Sequence, residues 1–155
     1  MSNELFKVPK NKRQATLWVH PDGQVIGSIF VLAQSTRHAG EEEPVEALNC
    51  NTPFIVISLE DPDELRFYNR NSVLRLEYTE ASSTASSTAV IQCRIQMMDG
   101  AVIEGKIQEA LPKNKNRLFD YLNQKDERFI KLYTDENEIC LVNKSYINYV
   151  TNEAE

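Results

Sequence analysis

The chain has 155 residues, 41% of them hydrophobic and 26% charged, with a formal net charge of −6. That composition belongs to a folded globular protein and excludes a disordered one, and the length suits one ordinary domain or two small ones. No apolar run approaches the roughly 18 residues that span a bilayer, and the basic N-terminal stretch MSNELFKVPKNKRQ lacks the apolar region of a secretory signal, so the expected location is the cytoplasm.

Charge is unevenly placed. Residues 1–13 carry four basic groups and one acid, residues 14–78 carry four and ten, and residues 90–150 carry nine of each. An acidic first half disfavours nucleic acid, whose non-specific binding depends on neutralising phosphates. Acidic excess also serves plain solubility. Cys50, Cys93 and Cys140 are odd in number and widely spaced, with no CxxC. This argues against a disulfide framework and against a zinc site, and leaves three reduced thiols expected at apolar strand positions.

Residues 1–13 read as a basic tail. From Ala15 the pattern alternates, Leu17 and Val19 against Trp18 and His20, which is a β period. Pro21-Asp22-Gly23 signals a hairpin, because Asp-Gly supplies the backbone dihedrals of a tight turn. Val25–Leu32 is the return strand, and Gly27 inside it implies a bulge or sharp bend. A polar loop follows, with a helical turn near Val45–Asn49. Phe54–Leu59 is an apolar strand, Asp61-Pro62-Asp63-Glu64 a turn, and Leu65–Leu76 a β-rich stretch broken near Asn69-Arg70-Asn71. Residues 79–89 contain TEASSTASSTA, with no large apolar group, and read as a linker.

After it the grammar restarts. Val90–Met98 is a strand, Asp99-Gly100 a second hairpin turn, and Ala101–Ile107 the return strand, again with an interior glycine, Gly105. Pro112–Arg117 is a basic loop, Leu118–Asn123 a helical turn and Phe129–Tyr133 a strand. Asp135-Glu136-Asn137 is a turn, and Glu138–Val150 is one long strand or two short ones meeting near Asn143-Lys144. Residues 152–155 form a polar tail.

The two series match in order. Asp22-Gly23 matches Asp99-Gly100, Gly27 matches Gly105, Leu48-Asn49 matches Leu122-Asn123, Phe54-Ile55 matches Phe129-Ile130, Asn69-Arg70 matches Asn143-Lys144, and Val73 matches Ile147, at offsets of 74 to 78 residues. An internal duplication is therefore expected, with one unit over residues 14–78 and another over 90–151. A unit this small has no room for two full sheets. Its economical solution is a bent sheet that closes on itself. The fold expected is all-β, with two tandem small β-barrels and short helical turns.

The second unit resembles the Sm-like small barrels, a subset of the SH3-like barrels. The resemblance lies in Met98-Asp99-Gly100 with Gly105, in Phe119-Asp120-Tyr121-Leu122-Asn123, and in Val142-Asn143-Lys144-Ser145-Tyr146-Ile147. The chain departs from that family in a longer connection between Gly105 and Phe119, and in Asn143-Lys144 where Arg-Gly is usual. The segment Arg117–Asn123 with Phe129–Leu132 is also similar to an uncharacterised bacterial group with an RLxDxLN…FxxL pattern. The Sm-like resemblance implies that Asn69, Arg70, Asn143 and Lys144 lie in the loop that holds a base or phosphate. Asn for a base edge and Lys or Arg for a phosphate is suitable chemistry for single-stranded nucleic acid. The same residues also fit a polar β-turn. Arg117 belongs to the one local basic cluster, with Lys113 and Lys115, and Phe67, Tyr68, Tyr146 and Tyr149 are stacking candidates or strand packing.

No nucleophile elbow, P-loop or dinucleotide fingerprint occurs. His20 and His38 have no neighbouring ligand motif, and the acidic runs Glu41–Glu43 and Asp61–Glu64 read as solvated loops. The expectation is a non-enzymatic protein-interaction or scaffold module with no metal or cofactor, partnered by protein or by itself. The alternative is an Sm-like single-stranded RNA-binding protein.

Overall fold

The computed structural model describes residues 9–80, 89–109, 117–124 and 127–152, with Ala89, Glu109 and Arg117 described by backbone alone. The first half comprises β1 (Lys10–Val19), β2 (Gly23–Leu32), α1 (Pro44–Leu48), β3 (Phe54–Glu60), β4 (Asp63–Asn69), a 3-10 turn (Arg70–Ser72) and β5 (Val73–Thr79). The second comprises β6 (Ala89–Met97), β7 (Val102–Glu109), α2 (Arg117–Leu122), β8 (Phe129–Tyr133), β9 (Glu138–Asn143), a 3-10 turn (Lys144–Tyr146) and β10 (Ile147–Asn152). Alternation in β1 buries Ala15, Leu17 and Val19 and leaves Thr16 and Trp18 half-covered, as a one-face pattern requires. Gly23 and Gly100 hold φ of +89° and +95° in the two hairpin turns, a region costly for any residue with a Cβ. Asp63 and Glu64, expected in a turn, pair within β4 opposite Glu60 and Leu59.

All ten strands lie in one antiparallel sheet, in the order β10-β6-β7-β8-β9-β5-β1-β2-β3-β4. Each half has the same internal order: its fifth strand flanks its first, and the others follow in sequence. The halves meet where β5 pairs with β9, from Arg75 opposite Val142 to Thr79 opposite Glu138. The sheet is open. The all-β class holds, but two separately closed barrels do not describe it. The outer edge of β9 carries backbone donors and acceptors that need partners, and β5 supplies them.

Gly27 and Gly105 set the bend in each half. A Cβ on Gly27 would lie 2.7 Å from the Ser58 carbonyl oxygen, and one on Gly105 would lie 2.7 Å from the Tyr133 carbonyl oxygen. The glycines admit a close crossing of β3 over β2 and of β8 over β7. They do not mark a bulge: β1 and β2 pair without interruption from Lys10–Leu32 to Val19–Gly23. Pairing at the crossings is brief, two residue pairs in one half and one in the other.

Two apolar clusters form the core, and neither belongs to one half alone. The first gathers Leu17, Val31, Leu48, Ile57, Leu76 and Tyr78, and is completed by Phe129, Ile139 and Leu141 from β8 and β9. The second gathers Ile95, Met97, Ile107, Tyr121, Ile130, Leu132, Cys140 and Val142, with Leu74 from β5 and Trp18 against it. Strands β8 and β9 are thus apolar on both faces, as strands covered on both sides must be. Asn49 fixes this arrangement. Its Oδ1 accepts from the Arg128 and Phe129 amides at 2.9 and 2.7 Å, and its Nδ2 donates to the Phe129 carbonyl at 3.1 Å.

Cys93 and Cys140 fill apolar strand positions, whereas Cys50 is exposed after α1. Burial pushes the Cys140 thiol up to about 12, which makes it unreactive. The N-terminal tail up to Val8, the Ser/Thr-rich stretch 81–88, the basic loop through residue 116 and residues 153–155 fall outside the described residues. No described helix is long and apolar enough to cross a membrane.

Candidate functional site

Asn69 with Arg70 and Asn143 with Lys144 form the entries to the two 3-10 turns, and the turns are built alike. Asn69 Oδ1 accepts from the Asn71 amide at 2.8 Å, and Asn143 Oδ1 accepts from the Ser145 amide at 2.9 Å. Each asparagine thereby caps its turn, the local bonding for which Asn is favoured. Asn143 is fully buried, and its Nδ2 donates to the Val73 carbonyl at 2.8 Å across the junction of the halves. It has no free edge to offer a base.

The cations that follow are also alike. Arg70 Nη1 donates to the Leu48 carbonyl at 3.3 Å, at the end of α1. Lys144 Nζ donates to the Leu122 and Gln124 carbonyls at 3.1 and 2.7 Å, at the end of α2. Both satisfy carbonyls that a helix C-terminus leaves open. The Asn-Arg and Asn-Lys pairs therefore serve the fold in both halves.

They also meet. Arg70, Asn71 and Asn51 from the first half, and Glu127, Arg128, Lys144, Ser145 and Tyr146 from the second, line one open cleft of about 820 Å³. Arg128 Nη1 donates to Asn71 Oδ1, which closes one wall. Among the described residues, three basic side chains share this cleft with one carboxylate, Glu127. Arg70 is only 8% exposed, and its Nε has no hydrogen-bond partner. Burial, and then the nearby charge of Arg128, push the Arg70 guanidinium down. Burial also lowers Lys144, against the opposing pull of Glu127. A buried cation beside a like charge, as Arg70 is beside Arg128, is costly, so an anion placed here would be favoured by relief of repulsion.

Asn69 and Asn143 do not line the cleft, and the Arg117 side chain lies outside the described residues. Arg128 is the residue that sequence reading missed. It sits in a polar run with no motif, and only the pairing of β5 with β9 carries it to the first half. The one aromatic candidate at the cleft is Tyr146; Phe67 and Tyr149 are exposed on β4 and β10.

Elsewhere the acids and histidines are tied up or scattered. His38 Nε2 meets Glu46 Oε2 at 2.6 Å and its Nδ1 meets the Ala39 carbonyl at 2.9 Å. Lys131 bridges Glu43 and Glu80 at 3.2 and 3.7 Å. Among the described residues no group of three or more His, Cys, Asp and Glu is placed to hold a metal ion. No family model matches the chain, and no curated protein or solved structure matches it.

Proposed function

We propose that this chain is a non-enzymatic protein-interaction module that holds an acidic segment of a protein partner in the Arg70–Arg128–Lys144 cleft. The single observation behind this reading is the cationic cleft itself, in which the buried Arg70 lies in the field of Arg128. A carboxylate in the cleft would offset the repulsion among these cations. The acidic charge of the chain as a whole favours a partner that presents a few carboxylates locally over a long polyanion, which the remaining surface would repel.

The reading extends to the architecture. We take the chain as an internal duplication of one five-stranded unit, similar to the Sm-like and SH3-like small barrels, opened so that the two copies share a sheet. The identical strand order, the paired interior glycines and the paired helix-capping cations support that view.

A second reading, single-stranded RNA, draws on Tyr146, which lines the cleft beside the cations and would provide a stacking surface. Fluorescence polarisation against a labelled acidic peptide and a labelled single-stranded oligonucleotide separates the two. The expected result is salt-sensitive binding of the peptide, reduced at least tenfold by Arg128→Glu. Preference for the oligonucleotide would replace the first reading with the second. No binding of either at low ionic strength would refute both.

A further inference from the structure

We infer that the segment preceding β1 crosses back over β2 and seats Leu5 and Phe6 in an apolar groove between β2 and β3, as a strap that covers the groove within the same chain. This goes beyond the cationic cleft and does not depend on it.

The groove follows from how β2 and β3 meet. They pair at Ser28–Ser58 and Ile29–Ile57 and then part. Ile29 and Val31 turn into the core, and Phe30 and Leu32 alternate to the other face, half-buried. Across the gap, Phe54 and Val56 of β3 stand 54% and 36% exposed. These four side chains, with Ala47 of α1 and Cys50 just after it, line a groove of about 420 Å³. Contiguous exposed apolar surface marks an interaction site.

The chain itself brings an occupant to the spot. Lys10 lines the groove and pairs with Leu32, and the Pro9 carbonyl accepts from the Ala33 amide at 3.0 Å. The described chain thus begins at the mouth of the groove. Residues 1–8 carry two adjacent apolar side chains, Leu5 and Phe6, between Glu4 and Lys7. Neighbouring strands lie about 5 Å apart, which sets β3 roughly 10 Å from β1. The four residues from Lys10 to Phe6 reach up to about 14 Å, enough to cross β2 and bring Phe6 to Phe54 and Val56.

Charge points the same way. Glu42 lines the groove, and its neighbour Glu41 already holds the start of β1, accepting from Asn11 at 2.6 Å and from Arg13 at 3.0 Å. Lys7 adds a cation to that basic run, complementary to Glu42 and Glu43. The tether decides in favour of the chain's own segment. A short link holds it at an effective concentration of about millimolar, above that of a second copy at working concentrations.

Cys50 reports on the groove, because it lines it while Cys93 and Cys140 are buried. Under mild oxidation, the full chain carrying Phe6→Cys should form a disulfide with Cys50 within one molecule, seen as a monomer of altered mobility. Adding Phe54→Ser and Val56→Ser should slow that bond at least tenfold, with unchanged circular dichroism because both positions are exposed. Without any added cysteine, Leu5→Ser combined with Phe6→Ser should raise the rate at which Ellman's reagent modifies Cys50 at least threefold. Disulfide-linked dimers as the main product would overturn the inference, since they place the segment on another copy. So would failure of the disulfide to form, or an intrachain bond whose rate ignores Phe54 and Val56, which a tether alone explains. Unchanged thiol reactivity in the double serine variant would overturn it too.

Discussion

Asn143 is the sharpest point at which to test how the halves are held together. Asn143→Ala removes two hydrogen bonds, Nδ2 to the Val73 carbonyl at 2.8 Å and the Ser145 amide to Oδ1 at 2.9 Å. A typical bond contributes about 1 kcal/mol net, and a buried group stranded by its loss costs about 1–3 kcal/mol. Asn143 is fully buried, so the sum is a loss of about 2–4 kcal/mol. Asn69→Ala is the matched control. It deletes the equivalent turn cap, the Asn71 amide to Oδ1, at an exposed position where water replaces the bond, and should cost about 1 kcal/mol or less. Urea unfolding of both variants gives the two values directly. Equal losses, or a loss below about 1 kcal/mol for Asn143→Ala, would refute the claim that this side chain secures the seam between the halves.

The interior glycines give a second test: Gly27→Ala and Gly105→Ala each push a methyl to 2.7 Å from a backbone carbonyl oxygen, and each should destabilise by about 1–3 kcal/mol as overpacking does, measured by the same urea titration. His38 gives a third. Its hydrogen bond to the Ala39 carbonyl, then its bond and charge attraction to Glu46, raise it above its ordinary value of 6.5. Its contribution to stability is therefore complete below the unfolded value and is lost as pH rises through the folded one. A proton NMR titration of the ring should show a midpoint above 6.5 that falls in Glu46→Gln, and a midpoint at or below 6.5 would contradict the geometry.

Element type was legible because local signals agreed. Strict alternation in Ala15–Val19, a turn dipeptide at each hairpin and an apolar run at Phe54–Leu59 all require only neighbouring residues to be interpreted. The interior glycines were legible as special positions, but their cause was not, since the carbonyl that crowds each one comes from a strand about 30 residues further along. Phe54 and Leu65 are legible as strand residues and Phe67 as strand packing or a stacking surface, but that all three stand exposed among the described residues is not. Arg70 and Lys144 are legible as candidates because the resemblance to Sm-like loops, carried from the second half to the first by the matched order, points to them. Arg128 is not, because nothing about its neighbours distinguishes it from any surface arginine.

The sequence by itself determined the all-β class, the order of turns and strands, and the matching of one half to the other, because those depend on periods of two residues and on backbone preferences that act locally. Only the tertiary structure decided how the matched halves relate. Edge pairing between β5 and β9 is a contact between positions about 60 residues or more apart, and its competitor, closure of each half on itself, uses the same apolar residues. That choice turned two expected barrels into one open sheet. It buried Asn143 and brought Arg70, Arg128 and Lys144 to one cleft.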